Sequence, residues 1–450
     1  MTVRRRWCGR MFAAILAASV TLATVAPAAA QGAFYVEVEK EGRIYVFNRM
    51  ASYEEWKATG EMGRSITRVG AGPNGETIVF DSEEAIHLYN FKHSLPGEVL
   101  IKPEEKKPVM KFSWKDGKTT LESDRAVLVI SNRVQFRYTH EQPDGKESKG
   151  SWRIRRAKTK FEGWIYTTDL SYELQLNWAD TSSSLEDAAL NYDLTRGRKA
   201  LQIKGGQFKV PFGRQELTSS GSQQFVDRSI VSSEFALGRD TGLQLWGATP
   251  KGWLEWRAGM FNGNGRNRSA NDNDKFQFNA RVTWQPFGDV KYSESDFEST
   301  NRPLLAVAAQ YEANNLQDVD PNTDAVDREV YSGDVVLKYK GLSVAGEYFR
   351  RVSEPEISAD FETRGYNTQV GLFVYKRHVE VALRYATIEF AGAPATLVSA
   401  ANDDRNEKGL AVNWFLNKHA LKLQADYRRI RNEVTDLEND EARLQMQFIF

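Results

Sequence analysis

Lysine and arginine recur at even spacing in several parts of this sequence. Arg133 and Arg137 fall in one run, Arg156, Lys158 and Lys160 in a second, Lys422 and Arg428 in a third, and Arg443 in a fourth. In an extended chain, even spacing puts side chains on one face. Cations ranked along a face attract anions, and arginine can grip an oxyanion through two parallel hydrogen bonds. That is binding chemistry rather than bond-breaking. Residues for covalent work are sparse. His140, His378 and His419 are the histidines beyond residue 100, none has a partner at metal-ligand spacing, and no serine sits in a nucleophile elbow. The sequence therefore predicts no enzyme, no metal and no cofactor.

The elements that carry these cations read as strands. Leu128, Ile130, Val134, Phe136 and Tyr138 interleave with Arg133, Gln135 and Arg137. Ala157, Phe161 and Ile165 interleave with Arg156, Lys158, Lys160 and Glu162, and Leu170 to Trp178 alternates in the same way. Sixteen such segments run from residue 126 to the C-terminal ARLQMQFIF. Their connections alternate in length. Short turns fall at Thr167 to Asp169, Thr195 to Lys199, Thr249 to Gly252, Lys340-Gly341, Lys376 to His378 and Asn417 to His419. Long polar connections fall between them, among them Glu141 to Gly150, Pro211 to Asp240, Asn262 to Asp274, Gly392 to Arg405 and Asn432 to Asp440. Gly288 to Asn301 breaks the rule, standing where a short turn belongs.

An even number of long strands with short turns at one end and long loops at the other predicts an antiparallel transmembrane β-barrel. Lipid meets the apolar face, and the cations then line the lumen, with acidic positions Glu173, Asp187, Asp193, Glu347 and Glu380 spread among them. Closure makes the first two strands neighbours of the last two, so Arg133, Arg137, Arg156, Lys158, Lys160, Lys422, Arg428 and Arg443 are expected to form one basic wall along an anion path.

The third long connection stands out. Gly205 to Gly247 reads GGQFKVPFGRQELTSSGSQQFVDRSIVSSEFALGRDTGLQLWG, with roughly 30 residues that fit neither helical nor strand periodicity. It has anchors in Phe212, Phe225, Phe235 and Leu237, and charges in adjacent pairs: Arg214 with Glu216, Asp227 with Arg228, and Arg239 with Asp240. A loop so equipped can fold inward and constrict the channel. Its runs Gly206 to Phe212, Phe225 to Arg228 and Arg239 to Gly247 resemble the motifs of the phosphate-selective porin O and P family of Gram-negative outer membranes, over about residues 110–450. That resemblance implies an outer-membrane porin for passive diffusion of small anions, with phosphate or polyphosphate as candidate solutes, a third loop inserted in the lumen, and a homotrimer. The arginine ladder and lysine cluster of the family's phosphate site are present only in part. A general diffusion pore is the alternative within the class, and a plugged receptor or structural barrel the alternative outside it.

The remainder fits such a destination. Arg4, Arg5, Arg6 and Arg10, an apolar run from Met11 to Val25 and Ala28-Ala29-Ala30 make residues 1–30 a cleavable signal peptide. The arginine triplet suits twin-arginine export, but ordinary secretion is expected because barrels insert unfolded. Cys8, the one cysteine, falls within this leader, so the mature chain has no disulfide. Without the leader, 56 basic residues face 60 acidic ones, a net charge of −4, which argues against a nucleic-acid partner. Residues 31–100 read as a small periplasmic α/β module, with strands around Glu41-Gly42, a capping box at Ser52 and Glu55, and a second helix opening at Ser82. Residues 101–125 are a charged linker and a hairpin turning at Asp116-Gly117, and 126–450 the barrel. Phe450, with Phe448 two before it, resembles the terminal signature read by barrel-assembly machinery.

Overall fold

A computed structural model describes residues 34–96, 110–180, 184–268, 270–316, 325–356, 359–391 and 404–450. The expected signal peptide and the linker Lys102 to Pro108 lie outside these. The chain divides into two compact units, 1–107 and 108–450.

The first unit is a four-stranded sheet with two helices. β1 (Val36–Lys40) pairs antiparallel with β2 (Arg43–Phe47) across a turn in which Glu41 and Gly42 both have positive φ. α1 (Met50–Thr59) crosses to β3 (Ile66–Arg68) and β4 (Thr77–Phe80), and β4 lies parallel to β2, giving the order β1-β2-β4-β3. α2 (Glu83–Lys92) is capped by Ser82, whose Oγ accepts from the Ala85 N–H at 3.1 Å. Val46, Ile78, Phe80, Ala85, Ile86 and Tyr89 form its core. The capping box expected at Ser52 is not used: Arg49 is the N-cap, and Ser52 lies inside the first turn.

The second unit opens with a hairpin, β5 (Lys111–Lys115) and β6 (Lys118–Glu122), turning at Asp116-Gly117. Only glycine fits there: besides its positive φ, a Cβ on Gly117 would come within 2.4 Å of the Ile449 carbonyl oxygen. Sixteen strands follow. They are β7 (Ala126–Pro143), β8 (Lys149–Ile165), β9 (Thr167–Asn177), β10 (Leu185–Asp193), β11 (Gln202–Lys209), β12 (Arg239–Ala248), β13 (Leu254–Phe261) and β14 (Gln277–Trp284), then β15 (Leu304–Leu316), β16 (Val326–Tyr339), β17 (Leu342–Pro355), β18 (Phe361–Tyr375), β19 (Val379–Ala391), β20 (Arg405–Asn417), β21 (Leu421–Asn432) and β22 (Glu438–Ile449). Each pairs antiparallel with the next, and β22 closes on β7 with Phe448 opposite Val134 and Leu444 opposite Tyr138. The first half of β7 pairs instead with β6, so the hairpin extends the seam.

The alternation decides which face is which. Val282, Leu383, Leu410 and Leu444 lie exposed on the outside, while Gln135, Arg137, Arg281, Arg384 and Gln445 on the opposite face are buried. Exposed aromatics form two bands, with Trp253, Trp284, Tyr375 and Trp414 toward the short-turn end and Tyr331, Tyr348, Tyr366 and Tyr427 toward the other. That is the arrangement of a barrel in lipid, with aromatic rings at both interfaces. Among the described residues, no helix is long and apolar enough to cross a membrane. Two expected loops prove shorter. The ladder continues to Glu141 opposite Lys149 and to Arg431 opposite Glu438, so their polar residues belong to strands that outrun the apolar band.

Candidate functional site: the lumen and its inserted loop

The connection between β11 and β12, the fifth and sixth barrel strands, does fold inward. It is not wholly irregular. α3 (Arg214–Leu217) and α4 (Ile230–Phe235) lie within it, the latter capped by Ser229, which accepts from the Ser232 N–H at 3.0 Å. Its aromatic anchors are buried: Phe212 and Phe235 join Phe208, Phe261, Phe349 and Ile388 in one cluster, and Phe225 packs on Ala382 and Ala411. The wall makes room with glycine. A Cβ on Gly371 would come within 1.7 Å of Gln224, and those on Gly409 and Gly365 within 2.8 Å of Phe225 and 2.6 Å of Phe235.

Loop backbone donors that would otherwise be stranded meet wall carboxylates, satisfying the rule that buried N–H groups be paired. Gln215 N–H donates to Glu347 at 3.1 Å, Val226 N–H to Asp426 at 2.9 Å and Ile230 N–H to Glu407 at 2.8 Å. The Gln224 side chain donates to Glu380 at 2.7 Å. Glu347 and Glu380, expected only as scattered lumen acids, thus hold the loop.

The charge pairs expected between sequence neighbours do not form. Asp227 faces the wall instead: Arg137 donates to it at 2.6 Å, and Arg156, Arg443 and Arg155 lie at 3.4, 3.5 and 3.8 Å. Glu216 pairs with Arg228 at 3.0 Å, and Arg228 also donates to the carbonyl oxygens of Gln215, Glu216 and Thr218. Arg214 donates to the Val290 carbonyl at 2.7 Å. Arg239 and Asp240 are the first residues of β12 rather than loop residues. Arg239 binds Asp187 bidentately at 2.9 Å, and Asp240 accepts from the Gly263 N–H at 2.6 Å. Adjacent residues of an extended chain point to opposite sides, which parts Asp227 from Arg228 and Arg239 from Asp240, while Arg214 and Glu216, two apart on the helical turn α3, do not face each other either.

The loop packs against β15 to β22 and leaves a cavity of about 760 Å³ against β7 to β13. Twelve lysines and arginines line it against five carboxylates. Of the expected wall, Arg133, Arg156, Lys158 and Lys160 reach this cavity. Arg137, Lys422 and Arg443 lie buried beneath the loop: Lys422 donates to the Gln223 carbonyl at 3.0 Å and Arg443 to Asp426 at 2.8 and 2.9 Å. Arg428 is taken up bidentately by Glu441 at 2.8 and 2.9 Å. The single basic wall therefore splits, because the loop covers the half made by the last strands.

Other cations replace those lost. Lys204 and Lys209 on β11, Arg239 on β12, Arg257 on β13, and Arg266 all line the cavity. In the sequence Lys204 and Arg257 stand beside the apolar Ile203 and Trp256, but Lys209 is an odd five residues from Lys204, Arg266 lies beyond the end of β13, and nothing local said which strands the loop would leave open. Arg155 joins them through a β-bulge. The ladder pairs Gln135 with Arg156 and then Phe136 with Ile154, so the extra residue turns inward. Within the cavity Lys158 pairs with Glu186, and Lys160 is shared by Glu162 and Glu173 at 2.7 and 3.2 Å. Arg133 donates to the hydroxyls of Ser219 and Ser220 at 2.9 and 3.1 Å, and among the described residues it meets no carboxylate.

A sixteen-stranded barrel with an inward third loop and a polar lumen is the architecture of a diffusion channel, and comparison with known families agrees. The family described as phosphate-selective porin O and P matches residues 130–450. The chain belongs to this family. This porin is therefore a channel protein of the bacterial outer membrane. A relative in Aquifex aeolicus (strain VF5), described only as an uncharacterized protein, is 22% identical over 410 residues, 81% of this chain and 97% of its own. Among solved structures, the outer membrane channel DcaP of Acinetobacter baumannii superposes with a TM-score of 0.53 at 11% identity, over 72% of this porin and 98% of that chain. The anion-selective porin from Comamonas acidovorans gives 0.52 at 11% identity, over 72% and 100%. OmpT of Vibrio cholerae, in a trimer form, gives 0.50 at 9% identity, over 73% and 100%. At these identities the likeness shows a shared fold.

Proposed function

We propose that this porin passes small anions by passive diffusion, along the cavity between the third loop and the wall of β7 to β13. The observation that carries the reading is the charge of that cavity, twelve cations against five carboxylates. In a low-dielectric wall such an excess focuses a positive potential on the solute path and raises the local concentration of anions. Inorganic phosphate and short polyphosphates are candidate solutes, since Arg155, Arg156, Lys158 and Arg133 offer donors at one level of the path. The Comamonas acidovorans porin, named as anion-selective, shares the fold.

The same reading places residues 31–100 in the periplasm, since both ends of an even-stranded barrel emerge on the short-turn side. It makes the exposed Phe450, stacked on Phe448 at 5.6 Å, the contact for barrel-assembly machinery, and outer-membrane lipid the partner of the apolar face. It also takes the assembly to be a homotrimer, the form named for OmpT of Vibrio cholerae. The test is the zero-current potential of the purified porin in a planar bilayer under a salt gradient. A potential of the sign set by anion flow supports the reading. A potential near zero makes this a general diffusion pore, and the absence of channels makes it a plugged or structural barrel. Inhibition of chloride current by added phosphate would single out phosphate.

A further inference from the structure

The connection between β14 and β15, residues 285–303, stands at the short-turn end of the barrel yet is the longest there. It does not hang outside. Val290, Ser295 and Asp296 are almost wholly buried. The segment turns up into the lumen and meets the third loop coming from the opposite end. Glu294 is the meeting point. One of its carboxylate oxygens accepts from the Gln224 N–H at 2.6 Å and from Gln369 on the wall at 2.9 Å, and the other accepts from Gln215 at 3.1 Å. Its own N–H donates to the Ser222 carbonyl at 3.0 Å. Arg214 of the loop stacks over Tyr292 at 4.6 Å while donating to the Val290 carbonyl.

The segment is also seated on the wall. Lys338 of β16 donates to the Ser293 carbonyl at 2.6 Å, and Ser295 donates to Glu380 at 2.9 Å. Asp296 accepts from the Gly341 N–H at 2.8 Å. Phe297 inserts between Phe415 and His419, with ring centroids 4.6 and 4.7 Å away. Those partners lie on or beside β16 to β20, the half of the barrel over which the loop is packed. A diffusion channel needs no such filling. Polar contacts this numerous across two elements from opposite ends make a brace whose consequence is exclusion of solute from that half.

We infer that residues 289–297 are a specificity-determining insert: together with the third loop they close one half of the lumen, so that every solute must pass the cationic half. Glu294 is a positioning residue in this, acting through Gln215 and Gln224. The inference rests on the proposed route of diffusion, but its own readout is width, which does not depend on the ion preference of the parent.

The test compares the full-length porin with two variants in planar bilayers. In one, residues 287–301 are replaced by a short Asn-Gly turn; in the other, Glu294→Ala cuts the brace at a single side chain. Conductance is measured in concentrated salt, together with the size of polyethylene glycol that enters the pore. The short-turn variant is expected to raise conductance about two-fold or more and to admit larger polymer, because the wide unlined half opens. Glu294→Ala is expected to raise conductance less and to increase current noise. Assembled variants with unchanged conductance and polymer cut-off would overturn the inference. So would failure of both to assemble as heat-modifiable barrels, since the segment would then serve closure of the wall. A parent without anion preference sinks the proposed function and leaves this result standing.

Discussion

Arg137 on β7 and Asp227 in the third loop, 90 residues apart, meet through two hydrogen bonds: Nη1 to Oδ2 at 2.6 Å and Nη2 to Oδ1 at 3.1 Å. Arg137 is almost fully buried, and its Nε and Nη2 are both taken up by Gln445 of β22. The contact therefore joins the loop to the seam where the last strand closes on the first. Removing one partner of such a pair leaves the other charge buried and unpaired, a change on the order of 3–5 kcal/mol.

Asp227→Asn should accordingly loosen the loop without opening the barrel, because the wall's own ladder is untouched. The expected outcome is a lower temperature of heat-modifiable unfolding and larger current fluctuations, with four arginines left facing one another. Arg137→Gln should do less, since Arg156, Arg443 and Arg155 still flank the carboxylate. Equal effects from the two would show that the cluster does not act as one clamp.

The docking of the loop against glycine gives a steric prediction. At Gly371 an added methyl collides with the Gln224 amide, which must then leave Glu380 and Ser343. Gly371→Ala should cost about 1–3 kcal/mol, the penalty for an abandoned buried hydrogen bond. Gly346→Ala, where the nearest atoms lie 3.7 Å away, is the matched control and should be close to neutral. Denaturant midpoints of the two folded variants decide it.

Much of the barrel was legible because period two is a strong signal repeated sixteen times, and Phe448 and Leu444 of the last strand show it as plainly as Val134 and Tyr138 of the first. The inward loop was legible from its anchors, Phe212, Phe225 and Phe235. The partners of its charges were not. Asp227 chooses Arg137 over Arg228 because the loop crosses the lumen, and a crossing has no local code. The segment around Glu294 was visible only as an exception to the alternation of turn lengths. Its Ser-rich, acidic composition reads as solvated, and only the surrounding amides and Lys338 make it fit for burial.

The small N-terminal unit carries a pH prediction of its own. Burial by itself would raise the Glu37 carboxyl, but hydrogen bonds from Tyr35 and His93 and the charges of His93 and Lys92 outweigh it and hold that carboxyl below its ordinary range. A group so depressed adds stability above its unfolded pKa and loses it as pH falls through the folded one. The unit should therefore lose stability on acidification below the usual carboxylate range, and Glu37→Gln should flatten that dependence. Unfolding followed by Trp56 fluorescence from about pH 7 down to about pH 2, through the ordinary carboxylate range and below it, measures both.

The last prediction concerns ion preference and separates the cavity cations that hold the loop from those that face the path. Arg156 does both, since it lies beside Asp227 and lines the cavity, so its loss would mix two effects. Lys158 and Lys160 do not touch the loop; their carboxylate partners Glu186, Glu162 and Glu173 all stand on the wall. Replacing both lysines with Gln removes two positive charges and also uncovers acids they had compensated. The local field should then fall by the contribution of those two charges. Screening over roughly 10 Å at 0.1 M salt leaves distant surface charges little influence beside these. Lumen positions are wet and polar, so the barrel should still assemble. The expected outcome is a zero-current potential shifted toward zero relative to the parent, with conductance in concentrated salt unchanged. A potential that does not move would mean that Arg133, Arg155 and the cations of β11 to β13 carry the selectivity, and the lysine wall would be ruled out as its source.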